Sequence, residues 1–277
     1  MEPRMIMAAP NGARLQKSNI QAIPVTIEEL CICARAVSAA GANALHAHVR
    51  NKAGEHVLDA GLYKELKAQL SFDAPNLVLQ ITTEAVGKYS PREQAKLVEE
   101  VVPEAVSVAL REMMPLNGDE TTGKWFYQFA KEAGIAVQHI LYDVDDLIRL
   151  SQLQSEGVIP QNFGSHLYVL GRYSEKQEGR PLELLKFFDA QQKKKESSKT
   201  SFTVAAFGES ETTCLGATLT LGGHVRVGFE NNQIHADGRP ARDNAERVGA
   251  LHQLRSLLGK FTSPTKAETL KILGKHL

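Results

Sequence analysis

Eight times along the chain a short β-rich run is followed by an amphipathic stretch, and this alternation restricts the fold more than any other feature. The β-rich runs are Met5–Ala9, "NALHAHV" (43–49), "NLVLQIT" (76–82), "AVSVAL" (105–110), "IAVQHIL" (135–141), "SHLYVLG" (165–171), "FTVAAF" (202–207) and "HVRVGF" (224–229). Helix signals lie between them. Thr26 with Glu29 and Ser90 with Glu93 form capping boxes, Pro91 sits at a first helical position, and Gly41, Gly134 and Gly157 stand where helices end. Other helical stretches run through Leu62, Leu66 and Leu70, through Trp125, Phe126, Phe129 and Ala133, and through Leu147, Ile148 and Leu153. Later ones pass Leu184, Leu185 and Phe188 and span Thr212–Leu221; Asp243 with Glu246 caps another, and Ser263-Pro264 starts the last.

Strands alternating with helices pair in parallel, because each crossover helix returns the chain to the same end of the sheet. Eight units in 277 residues, with no repeated block and no linker, predict one α/β domain over 1–277 folded as a (β/α)8 TIM barrel. An open nucleotide-binding sheet is the rival, but its glycine fingerprint is missing. "GDETTGKW" (118–125) approaches a P-loop, yet Trp125 stands where a magnesium-binding hydroxyl is needed. The tract "QQKKKESSKTS" (191–201) reads as a polar surface loop, and residues 264–277 as a C-terminal helix.

Charge narrows the function. Lys plus Arg and Asp plus Glu both total 32, so no basic excess points to nucleic acid or to an anionic membrane surface. No apolar run approaches the roughly 20 residues that span a bilayer, and the apolar part of "MEPRMIMAAP" is short for a signal peptide. Cys31 and Cys33 fall two apart on a helix and do not face each other, so reduced thiols and a cytoplasmic setting are expected.

Within "NALHAHVR", His46 and His48 share one face of a strand while Leu45, Ala47 and Val49 share the other. Two readings follow: a buried, hydrogen-bonded histidine pair, or two ligands of one metal ion. In "HVRVGFE", His224, Arg226 and Glu230 have the parity opposite to Val225, Val227 and Phe229. The second and eighth strands are both even-numbered, so their inward residues fall in the same layers, and barrel active sites gather at the C-terminal strand ends. Glu230 is thus placed to complete a two-histidine, one-carboxylate site, a donor set suited to catalytic zinc with one open position.

Six segments together resemble the β-keto acid cleavage enzymes: "AAPNGAR" (8–14), "IPVT" (23–26), "GANALHAHVR" (41–50), "QITTEAVG" (80–87), "GGHVRVGFE" (222–230) and "DNAERV" (243–248). They follow the family's order across nearly the whole chain. The resemblance implies a zinc-bearing (β/α)8 barrel that exchanges an acyl group between a β-keto acid and acetyl-CoA, giving acetoacetate and a new acyl-CoA. It implies His46, His48 and Glu230 as Zn2+ ligands, with Arg226 beside them in catalysis. Asn11, Thr82, Ser107 and Glu112 take positions for substrate, Thr82 replacing a family serine. Relatives of this kind form symmetric assemblies, so a homodimer or homotetramer is expected, with small-molecule partners only.

Two departures matter. One branch of the family carries a glutamate where this chain has Arg14, and an aspartate, the proposed general base, where it has Asn231. Arg14 reverses the charge that suits a cationic substrate tail, so an anionic or polar tail is expected. An amide cannot take up a proton near neutral pH, which leaves Asn231 as a substrate contact. Asp143, just beyond the fifth strand, is the favoured replacement base; Glu84 and Glu112 are alternatives. A metal-dependent aldolase or hydrolase working without CoA, or a metal-binding homologue that has lost cleavage, are the competing functions.

Overall fold

The computed structural model describes residues 2–116, 118, 120–192 and 200–275. The eight strands are β1 (Ile6–Ala8), β2 (Ala44–Ala47), β3 (Val78–Thr82), β4 (Ala105–Ala109), β5 (Ala136–Leu141), β6 (Ser165–Leu170), β7 (Ser201–Ala206) and β8 (His224–Val227). All pair in parallel and in sequence order, and β1 closes the barrel by pairing Met7 with both Ala44 of β2 and Arg226 of β8. The (β/α)8 barrel expected from the alternation is the observed architecture.

The crossover helices are α1 (Ile27–Ala39), α2 (Ala60–Asp73), α3 (Pro91–Val101), α4 (Leu110–Met113), α5 (Thr121–Glu132), α6 (Val144–Ser155), α7 (Glu183–Gln192), α8 (Glu211–Thr220) and α9 (Asn244–Leu258). A tenth, α10 (Lys266–Ile272), lies across the N-terminal end of the barrel. There Leu273 packs with inward residues Met7, Ala44, Val78, Ala105 and Ala136, closing the bottom of the barrel with an apolar plug. Outward residues such as Leu45, Ile81, Val106 and Val225 join the helices in the larger core.

Several boundaries differ from the sequence expectations. Leu110 opens the short α4 instead of ending the fourth strand. Trp125, Ile148 and Leu185 face outward, at 43%, 50% and 51% exposure, and Trp125 stacks on Phe129 at the surface. The burial of Phe126, Tyr127 and Ala130 sets the inner face of α5 instead. Thr265, not Ser263-Pro264, starts α10, because its hydroxyl accepts from the Glu268 amide in a third capping box. Ser201 already belongs to β7. Of the polar tract, 193–199, including the lysine run 193–195, lies outside the described residues, as do 276–277 at the chain end.

Candidate active site

His46 lies on β2, one residue before its end, and His48 just beyond it, so both rings enter the barrel mouth. Their Nε2 atoms are 3.1 Å apart, and Oε2 of Glu230 lies 3.6 Å from the first and 3.8 Å from the second. Glu230 arrives differently from the parity argument. β8 ends at Val227, and Gly228, at φ 148°, turns the chain where any side chain would strike the Ala9 carbonyl oxygen. The Glu230 amide then donates to that same carbonyl, which brings the carboxylate over β1 to the histidines.

Two loop residues lock this arrangement. The Asn11 side chain accepts from the His48 amide and donates to the carbonyls of His48 and Pro24. Gly12, in the left-handed region at φ 58°, lies so close to Glu230 that a Cβ would come within 2.6 Å of its Cγ. Below the histidines, Oε1 of Gln80 accepts from His46 Nδ1 at 2.9 Å, and the Gln80 amide donates to Gln138, whose own amide reaches Thr203. Because Gln80 donates from its nitrogen elsewhere, the His46 proton sits on Nδ1 and the Nε2 lone pair faces Glu230.

These residues fit a divalent ion. A tetrahedral ion with bonds of about 2.0–2.1 Å holds its ligand atoms roughly 3.3 Å apart, close to the distances found. Oε2 of Glu230 is buried with no hydrogen-bond partner among the described residues. Burial pushes His46 down to about 4 and His48 well below its ordinary value, so both rings are neutral. Burial alone would raise Glu230, but neighbouring cationic groups, Arg226 first, outweigh it and hold the carboxyl below its usual value. Neutral imidazoles beside an ionised carboxylate are the protonation states a metal requires.

The triad opens into a cavity of about 220 Å³ with two kinds of wall. His46, Glu230, Arg226, Thr82 and Asn231 line the polar end, and Ala109, Ile140, Val169 and Phe207 line an apolar side. Arg226 donates to Glu230 Oε1 at 3.1 Å. The Asn231 amide is buried and neither of its polar atoms has a partner among the described residues. Thr82 faces the cavity while its hydroxyl accepts from the Glu84 amide. Glu112 lines it and accepts from the Ala85 amide, and Arg14 lines it from an exposed position. Ser107 is buried beside Thr83 and does not line the cavity.

Asp143 stands elsewhere. It caps α6, accepting from the Asp146 amide, and pairs with Arg111 at 2.8 Å, half exposed and outside the cavity wall. The helix start claims its carboxylate, so the favoured replacement base is not at the site. Glu84 is. Its Oε2 lies 3.8 Å from His48 Nδ1 and its Oε1 3.9 Å from Arg172. Burial, then repulsion from Glu230, pushes its carboxyl up to about 7, against the pull of Arg172. The supporting glutamines are not among the residues expected at the site. Their signal was an amide at inward parity within the apolar runs "VLQIT" and "AVQHIL", Gln80 being the registered neighbour of His46.

Residues 3–274 match the family described as beta-keto acid cleavage enzyme. The chain belongs to that family. Among curated relatives of this β-keto acid cleavage enzyme family member, the "3-keto-5-aminohexanoate cleavage enzyme" of Acetoanaerobium sticklandii is 28% identical over 282 residues, 99% of each chain. The "3-oxoadipate:acetyl-CoA acetyltransferase" of Cupriavidus necator is 23% identical, over 99% of this chain and 95% of its own. A solved binary complex of ObcA with oxaloacetate shares the fold at TM-score 0.72 and 13% identity, covering 92% of this family member and 68% of that chain. The type I 3-dehydroquinate dehydratase of Clostridium difficile does so at TM-score 0.62 and 13% identity, over 93% of both.

Proposed function

We propose that this β-keto acid cleavage enzyme family member exchanges acyl groups between a β-keto acid and acetyl-CoA, in a zinc-dependent reaction that yields acetoacetate and a new acyl-CoA. The convergence of His46, His48 and Glu230 at the cavity carries the proposal, and the acetyl-CoA named for the Cupriavidus necator relative supports the co-substrate. A bound zinc ion supplies Lewis acidity toward the keto oxygen.

The chain's own residues then divide the work. Glu84 takes a proton from the carbon between the keto and carboxylate groups: Asn231 cannot, Asp143 is outside the cavity, and Glu84 rather than Glu112 stands beside a metal ligand, 3.8 Å from His48. The resulting carbanion forms a carbon–carbon bond to the acetyl carbonyl, and CoA leaves as thiolate. The thiolate adds to the original keto carbon, the bond from that carbon to the central carbon breaks, and Glu84 returns the proton to give acetoacetate. Arg226 and the Asn231 amide offer hydrogen bonds to the oxygens that gain charge, and Thr82 offers one from the third strand. Arg14 at the rim favours an anionic or polar tail.

Assembly as a homodimer or homotetramer belongs to the same proposal, supported by Phe72 and Leu257, exposed at 87% and 84%. No helix among the described residues is long and apolar enough to cross a membrane. Metal analysis of the purified protein, then incubation of β-keto acids with acetyl-CoA and mass spectrometry of the thioesters, tests the reaction. New acyl-CoA together with acetoacetate is expected. Keto-acid turnover without any thioester would replace the proposal with an aldolase or hydrolase, and tight binding without turnover would mean the loss of base at Asn231 is decisive.

A further inference from the structure

Arg172 follows β6 and lines the cavity beside Glu84. Its guanidinium lies on the face of Phe207, 5.1 Å from the ring centroid, within the roughly 6 Å of a cation–π contact. The side chain is 17% exposed, and its charge partner among the described residues, Glu84, is 3.9 Å away, beyond hydrogen-bond reach. The backbone on both sides of the stack is anchored. Gly171, at φ 81°, packs so tightly on Gly179 that a Cβ would fall 2.2 Å from its nitrogen, and the Gly179 amide donates to the Phe207 carbonyl. Phe207 in turn donates its amide to Leu170. A guanidinium held in place, shielded by an aromatic ring and without a hydrogen-bonded partner among the described residues is prepared for an anion.

One wall of the cavity is apolar: Ala109, Ile140, Val169 and Phe207, four members of one buried cluster, the last of them carrying Arg172. A ligand with its keto acid at the metal ligands can lay hydrocarbon on this wall and bring its far end to the guanidinium. We infer that Arg172 is a specificity-determining residue that receives the terminal carboxylate of a β-keto dicarboxylate, whose methylene spacer lies on the Ala109–Ile140–Val169–Phe207 wall. This rests on the proposed reaction only for the keto-acid head group. It moves the main tail contact from the exposed Arg14 to the shielded Arg172. The phosphates of CoA share the anionic chemistry, so the test separates the two.

Binding of 3-oxoadipate and of 3-oxohexanoate, equal in length and different only at the tail, is measured by calorimetry on the zinc-loaded protein without acetyl-CoA. The wild type is expected to prefer 3-oxoadipate. Arg172→Gln is expected to weaken 3-oxoadipate roughly 10- to 100-fold, the loss of charged hydrogen bonds, and to leave 3-oxohexanoate within about twofold. Arg172→Lys, which keeps the charge and most of the volume, is expected to fall between and also serves should the glutamine variant fold poorly. An unchanged tail preference in these variants overturns the inference. So does weakened binding of CoA with 3-oxoadipate unaffected, which would give Arg172 to the phosphates. Selective binding without acetoacetate formation retains the inference and removes the proposed reaction; acetoacetate formation without tail preference does the reverse.

Discussion

Gln80 Oε1 lies 2.9 Å from His46 Nδ1, across a register in which the two residues are direct neighbours on β3 and β2. This contact fixes which ring nitrogen carries the proton, and so keeps Nε2 available to a metal. Partners of this kind typically contribute 10- to 100-fold to metal affinity. Gln80→Leu is expected to weaken zinc by about that factor, read by competition with a chelating dye, while circular dichroism stays that of the wild type.

Gly12 and Glu230 are in contact through the absence of a side chain. Gly12→Ala places a methyl against the Glu230 carboxylate stem and also forces alanine into a left-handed backbone, a strain of order 1–2 kcal/mol. Lower zinc occupancy and a lower melting temperature are expected together. A variant with full zinc content would show that Glu230 can move aside and still bind.

Variants of Glu84 and Asp143 compare the base proposed here with the one favoured from the sequence. Glu84→Gln is expected to reduce turnover by roughly 10²- to 10⁴-fold with zinc content unchanged. Asp143→Asn is expected to retain turnover, because Asp143 caps α6 and pairs with Arg111 outside the cavity. Its stability cost should stay within about 1 kcal/mol, as for other exposed ion pairs. Steady-state rates and metal analysis of both proteins decide the matter.

His224 supplies a pH dependence away from the metal ligands. Its Nδ1 accepts from the Met5 amide at 3.1 Å, and burial, then the Arg4 charge, pushes it down to about 3. The folded value lies below the unfolded one of about 6.5, so the unfolded chain takes up the proton first. Stability from this group is present above pH 6.5 and is lost as pH falls toward 3, up to roughly tenfold in the folding constant per pH unit. His139, pushed down to about 4 by burial, adds in the same direction. Urea midpoints between pH 7 and 4 should fall, and His224→Asn, which keeps an acceptor for Met5, should flatten the slope.

Much of the barrel is legible in the residues because strand and helix periods are local. "NLVLQIT" cannot be amphipathic as a helix, and Thr26-x-x-Glu29 marks a helix start wherever it falls. The edges were less legible. Trp125, Ile148 and Leu185 are apolar by type yet point to solvent, because the rotation of a helix on the sheet depends on its neighbours. At the site, the alternation in "LHAHV" places His46 and His48 on one face from local geometry alone. Glu230 reaches the histidines by a route that strand parity does not give: the chain has left the strand at Gly228, and a hydrogen bond to Ala9 returns the carboxylate to the mouth.

The sequence by itself determined the number and order of the βα units, the shared face of the two histidines, and the presence of an amide, which cannot act as a base, at Asn231. Only the tertiary structure decided which acid faces the cavity, that Asp143 is committed to a helix start, and that Arg172 rather than an exposed arginine stands shielded on an aromatic ring. The physical reason is range. Backbone periodicity is set by neighbours a few residues away, whereas Glu84, Arg172, Phe207 and Glu230 meet only because eight strands close on themselves and bring their loops to one end.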